Sequence, residues 1–158
     1  MQITPAEVAE TLAMVSKQNL DIRTITLGIN LRGCVDADVD KLASKVYDRM
    51  TSAAEKLVPT AEQLEREFGI PIVNKRVSVT PVAQIAACCA EEDLTPLAHA
   101  LDRAAETLGI DYLGGFSALV QKGIGDADRR LIQSIPEALA NTSRVCSSVN
   151  VASLRAGI

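Results

Sequence analysis

The amino-acid sequence predicts an α/β fold in which parallel strands alternate with helices. Segments rich in β-branched residues are each separated from the next by a stretch with helical periodicity. Strands joined through a helix run parallel, with right-handed crossovers, so the four predicted strands form one parallel sheet. The 158 residues match the size of one domain, and we assign 1–158 to a single α/β domain.

Local signals define the boundaries of these elements. The predicted strands are 21–31, 71–79, 110–115 and 144–152. The predicted helices are 5–18, 37–57, a short helix that ends near Gly69, 81–90, 96–108 and 126–140. Thr4 and Glu7 have the spacing of a capping box, and Pro59 is expected to break the second helix. Ser134 and Glu137 also have capping-box spacing, which predicts that the last helix restarts there.

The composition argues against several classes of function. A net charge of −4, an aromatic content of 3% and the absence of Trp disfavour nucleic-acid backbone binding and base stacking. No apolar run reaches membrane-spanning length, and the first residues, "MQITPAEVAE", lack the basic start of a signal peptide. We therefore expect a cytoplasmic protein with no nucleic-acid partner and no membrane partner.

Three predicted strands separate their side chains in the same way. One face is aliphatic, as shown by Leu27, Val77 and Val149, with Lys75 as the exception on that side. The other face carries small polar residues and two arginines: Thr24, Thr26, Gly28, Asn30 and Arg32 in the first strand, Asn74, Arg76, Ser78 and Thr80 in the second, and Cys146, Ser148, Asn150 and Ala152 in the last. Parallel sheets covered by helices on both faces are apolar on both faces, so this pattern indicates a different environment for one of them.

A polar strand face has three interpretations: a binding pocket or barrel lumen, a polar structural interior without a ligand, or a face in solvent. A solvated face normally carries Lys and Glu, whereas these faces hold no acidic residue, so we favour the lumen. Because arginine presents a rigid fork of donors to carboxylate or phosphate, we expect a small anionic metabolite as the occupant. The predicted ligand-binding residues are Asn30, Arg32, Asn74, Arg76, Ser78, Gly114, Gly115, Cys146, Ser148 and Asn150.

The glycine pair in "YLGGFSALVQKGIG" has its own argument. Gly114 and Gly115 are expected to end the third strand and to precede a helical turn, where backbone N–H groups bind anions. Tight packing or a turn is the alternative explanation for two adjacent glycines. The segment has neither the P-loop spacing nor G-x-G-x-x-G.

The cysteines and the single histidine do not form a recognisable catalytic or metal motif. There is no Cys-x-x-Cys among the four cysteines, and His99 lies on a predicted helix. We expect buried, reduced thiols rather than a zinc site, and we predict no metal. Cys88 and Cys89 lie in an apolar helical segment where thiols are inert, which leaves Cys146, on the polar face, as the candidate reactive thiol. The sequence assigns no catalytic residue and no cofactor.

Four stretches resemble one known family. "DIRTITLGI", "GIPIVNKRVSVTP", "LGGFSALVQKG" and "SIPEALANTSRVCSSVNVAS" are similar to the uncharacterised bacterial and archaeal proteins called PFL family proteins. The resemblance runs from about residue 20 to the end. It implies a fold like that of pyruvate formate-lyase, a ten-stranded α/β barrel with one strand face in the lumen. It implies no activity, and the glycyl-radical signature R-V-[SA]-G-Y is absent from this chain.

The resemblance leads to an expectation about function and assembly. Members of that family are longer, so this chain corresponds to the N-terminal portion of a barrel that four strands cannot close. We expect a homo-oligomer or a missing C-terminal portion, because an open last strand exposes its edge. The expected function is binding of a small anionic metabolite in a polar barrel interior, with any catalysis by residues outside this chain. The alternative is a non-catalytic structural or regulatory subunit.

Overall fold

The computed structural model describes residues 4–17 and 21–153. The strands are Ile25–Ile29 (β1), Lys75–Val79 (β2), Tyr112–Leu119 (β3) and Val145–Asn150 (β4). The helices are Pro5–Ser16 (α1), Val39–Ala54 (α2), Leu57–Phe68 (α3), Val82–Ile85 (α4), Thr95–Leu108 (α5) and Asp126–Ala140 (α6), with 3₁₀ turns at Arg32–Cys34 and Ala86–Cys88. The predicted α/β class with alternating parallel strands is confirmed. Residue 18, the predicted end of the first helix, lies outside the described residues.

The strands are arranged in the sheet in the same order as in the sequence. All neighbours are parallel, in the order β1-β2-β3-β4. Each crossover leads to the adjacent strand, always in the same direction across the sheet. Because right-handed crossovers of this kind all pass over the same face, the connecting helices lie on one face of the sheet. Val77 and Leu113 are buried on that face, whereas Ser78 and Cys146 are exposed on the opposite one. Within the described residues the sheet therefore has one covered face and one open face.

The hydrophobic core lies between the covered face and the helices. Its fully buried side chains include Leu42 and Met50 of α2, Leu101 of α5 and Phe116 of β3. The apolar stripe predicted for the second helix is buried as far as Met50. Beyond it Ala53 is exposed, and Leu57 packs partly buried against the core but begins α3 instead of continuing α2.

Two prolines do not interrupt helices as the sequence suggests. Pro59 does not break α2; it lies in the first turn of α3, where a backbone N–H has no partner within the helix. The predicted restart of the last helix at Ser134 is also wrong, since α6 continues through Pro136. The Ser134 hydroxyl donates to the Arg130 carbonyl oxygen at 2.9 Å and accepts from the Leu94 N–H at 3.1 Å. A tertiary contact has replaced the expected cap.

The helical turn expected after Gly114 and Gly115 is absent, because β3 continues to Leu119. A bulge between Gly114 and Phe116 shifts the register with β4 and lets the strand run on. Phe116 and Ala118 are buried after the bulge. Burial of these side chains in the core outweighs the helical pattern seen in the sequence.

Local signals elsewhere agree with the structure. Thr4 and Glu7 form the predicted capping box, in which Glu7 Oε2 accepts from the Thr4 N–H at 2.7 Å. Lys75 lies on the covered side as predicted: its Nζ is 3.3 Å from Glu65 Oε2 of α3 and donates to the Ile72 carbonyl oxygen at 2.9 Å. The charge of Lys75 is tolerated on this side because the Glu65 carboxylate and the Ile72 carbonyl oxygen, at the edge of the core, pair with its ammonium group.

Candidate functional site

Within the bounds of the strands, the open face of the sheet carries the polar residues that the sequence predicted for it. Strand register places them in rows that cross the sheet. Thr26, Arg76 and Tyr112 are register partners in one row. Gly28, Ser78, Gly114 and Cys146 form the next row, which crosses all four strands. These two rows outline the candidate site.

A groove of about 400 Å³ lies over the two rows. Its lining residues are Thr26, Arg76, Val77, Ser78, Tyr112, Gly114 and Cys146. Four of the predicted ligand-binding residues, Arg76, Ser78, Gly114 and Cys146, therefore meet in one place. None of the residues that line the groove carries a carboxylate.

Arg76 is the charged group of this groove. Its guanidinium carbon lies 5.2 Å from the centroid of the Tyr112 ring, which is cation–π geometry. The side chain is half-buried, and its Nε is buried without a hydrogen-bond partner. Among the described residues no carboxylate forms an ion pair with Arg76. The groove therefore presents a positive charge that the described part of the chain does not neutralise.

Sequence reasoning missed Tyr112 as part of the site. The signal was its position two residues before Gly114, which puts both residues on the same strand face. The predicted third strand included Tyr112, but its register with Arg76 depends on how β2 and β3 pair. The register between β2 and β3 cannot be predicted from the sequence of either strand alone.

Three predicted residues lie away from the groove because of their places along the strands. Asn30 lies four residues beyond Thr26, which corresponds to about 13 Å along a strand. Its Oδ1 accepts from the Arg32 N–H at 2.9 Å and from the Thr80 hydroxyl at 3.4 Å, so it closes the end of β1. Arg32 is exposed in a 3₁₀ turn. At the other end of the sheet, Asn74 Nδ2 donates to the Arg23 carbonyl oxygen at 3.0 Å.

The remaining predicted residues lie on β4 and at the bulge. Ser148 and Asn150 are exposed on the open face, beyond Cys146 along β4. Gly115 has a φ of 131° and turns towards the core: a Cβ there would lie 2.9 Å from the Val79 carbonyl oxygen and would also meet the Val79 side chain. Close packing, the alternative considered for the glycine pair, thus accounts for Gly115. It does not account for Gly114.

The cysteines fall into two classes. Cys34 and Cys89 are buried, and desolvation raises the pKa of both thiols. Cys88 and Cys146 are exposed, so the expectation of buried thiols is wrong for these two. Cys88 ends a 3₁₀ turn rather than lying in a longer helix, which brings its side chain to the surface. In the described part of the chain no three His, Cys, Asp or Glu side chains form a metal-ligand cluster.

A second pair of cavities, of about 390 and 500 Å³, lies beside the start of α6. Asp126 and Arg130 line both of them. The Arg130 guanidinium donates to the Cys89 carbonyl oxygen at 2.6 Å and to the Glu91 carbonyl oxygen at 2.8 Å. Because this arginine already holds a loop and shares its cavities with a carboxylate, the groove around Arg76 is the better candidate for an anion site. No helix in residues 4–17 or 21–153 is long and apolar enough to cross a bilayer.

Comparison with known proteins places the chain among uncharacterised proteins. Residues 13–158 match the model of a family described as "Uncharacterised ACR (DUF711)". The chain is 59% identical over 154 residues to a UPF0210 protein of Ruminiclostridium cellulolyticum, covering 98% of this chain and 34% of that protein. It is 58% identical to a UPF0210 protein of Syntrophotalea carbinolica and 52% identical to one of Methanococcoides burtonii, covering 100% of this chain and 35% of each protein. The chain thus spans about a third of the length of the curated relatives it matches.

Proposed function

Since this chain belongs to the DUF711 family of uncharacterised proteins, we propose its function from the site: the open sheet face binds a small anionic metabolite. The observation that carries the proposal is Arg76, a permanent positive charge in a groove lined by no carboxylate. Its Nε is buried and unpaired, and a buried donor without a partner is costly unless something else satisfies it. An anion in the groove supplies both a negative charge opposite the guanidinium group and an oxygen atom that accepts a hydrogen bond from it.

Neutral donors beside Arg76 support the same proposal. The hydroxyls of Thr26 and Ser78 make no hydrogen bond within the described part of the chain, although both residues line the groove. Thr26 on β1 is the register partner of Arg76, and Ser78 lies two residues beyond Arg76 on the same face of β2. A carboxylate or phosphate held by the guanidinium fork has further oxygen atoms that accept from such hydroxyls.

We also propose that the open face lines the interior of a barrel like that of pyruvate formate-lyase. The support is the one-way strand order, which leaves the face uncovered, together with the unpaired outer edges of β1 and β4 among the described residues. Relatives about three times as long have the chain length for further strands. On this proposal, residues outside this chain supply any catalysis. A cytoplasmic location belongs to the proposal and is supported by four unpaired cysteines, which persist in reducing compartments.

Thermal unfolding of the full chain with a panel of phosphorylated and carboxylate compounds tests the anion site. A ligand at a hundredfold excess over its Kd adds about 2.7 kcal/mol of stability and raises the midpoint. Arg76→Gln is expected to remove that shift, whereas Arg66→Gln, an exposed arginine on α3, is the matched control and keeps it. If no anion raises the midpoint, or if Arg76→Gln responds as the parent does, the proposal fails.

A structural or oligomerisation role is the second candidate, and one observation favours it. Leu57, Ala61, Leu64 and Phe68 form an apolar stripe along α3, but its C-terminal half is uncovered, with Leu64 41% and Phe68 46% exposed. Exposed apolar side chains in a stripe are typical of contacts with another protein surface. Sedimentation of the parent and of a Leu64→Glu, Phe68→Glu variant distinguishes the two: a dimer that the variant abolishes supports this role, and a monomer in both removes it.

A further inference from the structure

A cavity outside the open sheet face combines opposite charges. The cavity of about 390 Å³ beside the start of α6 lies between the first two turns of that helix and the loop 89–94. Its lining residues are Ala90, Glu92, Asp126, Arg129, Arg130 and Gln133. The four residues from α6 are spaced at i, i+3, i+4 and i+7, so they lie along one side of the helix. Carboxylates and guanidinium groups therefore line the same small space.

Three hydrogen bonds hold the walls of this cavity together. The Arg130 Nη1 donates to the carbonyl oxygen of Cys89 at 2.6 Å and to that of Glu91 at 2.8 Å. At the other end of the loop, the Leu94 N–H donates to the Ser134 hydroxyl at 3.1 Å. Since both ends of the loop are attached to α6, the cavity between them is preformed, as ligand sites usually are.

The opposite charges in the cavity do not neutralise one another. Asp126 precedes Arg129 and Arg130 by three and four residues, the spacing at which ion pairs form on a helix. In residues 4–17 and 21–153, however, no ion pair joins them. Within the same ranges the side chains of Glu92, Asp126 and Arg129 make no hydrogen bond. Groups of both signs are thus left for a third partner.

The adjoining cavity, of about 500 Å³, is partly apolar. It shares Asp126 and Arg130 with the first cavity. Its apolar part consists of Ala83, Ala87, Leu119 and Ala127. Because Leu119 is the last residue of β3, both cavities lie at the carboxyl edge of the parallel sheet, which is where open α/β sheets bind ligands.

We propose that the two cavities together bind a free α-amino acid with an apolar side chain. Its carboxylate binds the guanidinium group of Arg129, and its ammonium group binds the carboxylates of Asp126 and Glu92. Its side chain lies in the adjoining cavity, against Ala87 and Ala127. The groove around Arg76 has no carboxylate to receive an ammonium group, so this site is distinct from the proposed anion site and does not depend on it.

Exposed charges on a helix commonly contact only water, and two observations favour a ligand instead. The attached loop 89–94 forms an opposite wall, which a free helix surface does not have. An apolar cavity also adjoins the charged one. An α-amino acid is a small ligand that uses both charges and the apolar space.

Titration calorimetry of the full chain with leucine tests the proposal. N-acetyl-leucine lacks the ammonium group and leucinamide lacks the carboxylate, so each should bind about tenfold more weakly than leucine. Alanine keeps both charges but has a much smaller side chain, and it should also bind about tenfold more weakly.

Variants of the chain locate the site. Arg129→Gln and Asp126→Asn each remove one charge and should weaken leucine binding about tenfold. Arg66→Gln and Glu62→Gln on α3 are the matched controls, because neither residue lines the cavities. Ala87 is exposed, so Ala87→Leu should fold normally. By filling the apolar cavity, it should remove the preference for leucine over alanine.

Each outcome supports or overturns the proposal. It is overturned if leucine does not bind, if N-acetyl-leucine or leucinamide binds as tightly as leucine, or if Arg129→Gln or Asp126→Asn binds leucine as the parent does. A preference for leucine that survives in Ala87→Leu also overturns it. Arg76→Gln should bind leucine unchanged, and loss of leucine binding in that variant would assign the amino acid to the groove on the open sheet face instead.

Discussion

The guanidinium carbon of Arg76 lies 5.2 Å from the centroid of the Tyr112 ring, and the two residues are register partners on β2 and β3. Stacking on a ring fixes the guanidinium plane while its N–H groups remain available at the edges. The pair thus orients the charge of the groove without neutralising it. An acidic residue at the position of Tyr112 would instead neutralise the guanidinium charge.

Replacing Tyr112 should weaken anion binding without abolishing it. A cation–π contact at a partly exposed site contributes about 0.5–1 kcal/mol, so Tyr112→Leu should raise the Kd for phosphate about two- to fivefold. Tyr112→Phe keeps the ring and should bind as the parent does. Titration calorimetry measures both, and equal weakening in the two variants would mean that the hydroxyl, not the ring, supports the site.

Adjacent glycines should respond in opposite ways to alanine. Gly115→Ala places a Cβ against the Val79 backbone at a φ of 131°, and strain with overpacking should lower the free energy of unfolding by about 3 kcal/mol. Gly114→Ala meets no atom and should cost nothing. Urea denaturation of the two variants gives the comparison. Equal stabilities would contradict the close packing of Gly115 against Val79.

Ser134 should matter more than a serine on a helix surface. Ser134→Ala leaves the Leu94 N–H, a buried donor, without its acceptor, and should lower the free energy of unfolding by about 2 kcal/mol. Ser44 is the matched control, because its hydroxyl makes the same bond to the carbonyl four residues earlier and no other. Urea midpoints give the comparison. A similar small loss of stability in Ser134→Ala and Ser44→Ala would contradict a tertiary role for Ser134.

Glu65 should contribute to acid sensitivity. The hydrogen bond from the Ile72 N–H, at 2.6 Å, lowers the pKa of Glu65 below its usual value of 4.5, and Lys75 lowers it further. Because the folded-state pKa is depressed, the stabilisation is complete above the unfolded pKa and is lost as the pH falls through the folded pKa. Glu65→Gln should therefore flatten the decline in urea midpoint below about pH 4.5.

The control for this pH dependence is Glu62→Gln on the same helix, since Glu62 makes no hydrogen bond or ion pair within the described residues. Its profile should follow the parent. A parallel decline in the parent and in Glu65→Gln would assign the acid sensitivity to other carboxylates, such as Asp36 and Asp38, whose pKa values are also lowered by hydrogen bonds.

The strand faces could be predicted from the sequence because they depend on a period of two within each segment. Leu27 and Val77 on one side, and Arg76 and Ser78 on the other, are therefore found where the alternation places them. The capping box of Thr4 and Glu7 is equally local. Such features need only neighbouring residues for their energy, so the sequence alone determines them.

The register between strands, and with it the membership of the site, was decided by the tertiary structure. Arg76 meets Tyr112 and not Asn30 because parallel pairing aligns strands through core packing, which involves residues far apart in the chain. The bulge at Gly114 and Phe116 and the bond from Ser134 to Leu94 have the same origin. In each case a long-range contact supplies more free energy than the local preference it overrides, and no local pattern records that contact.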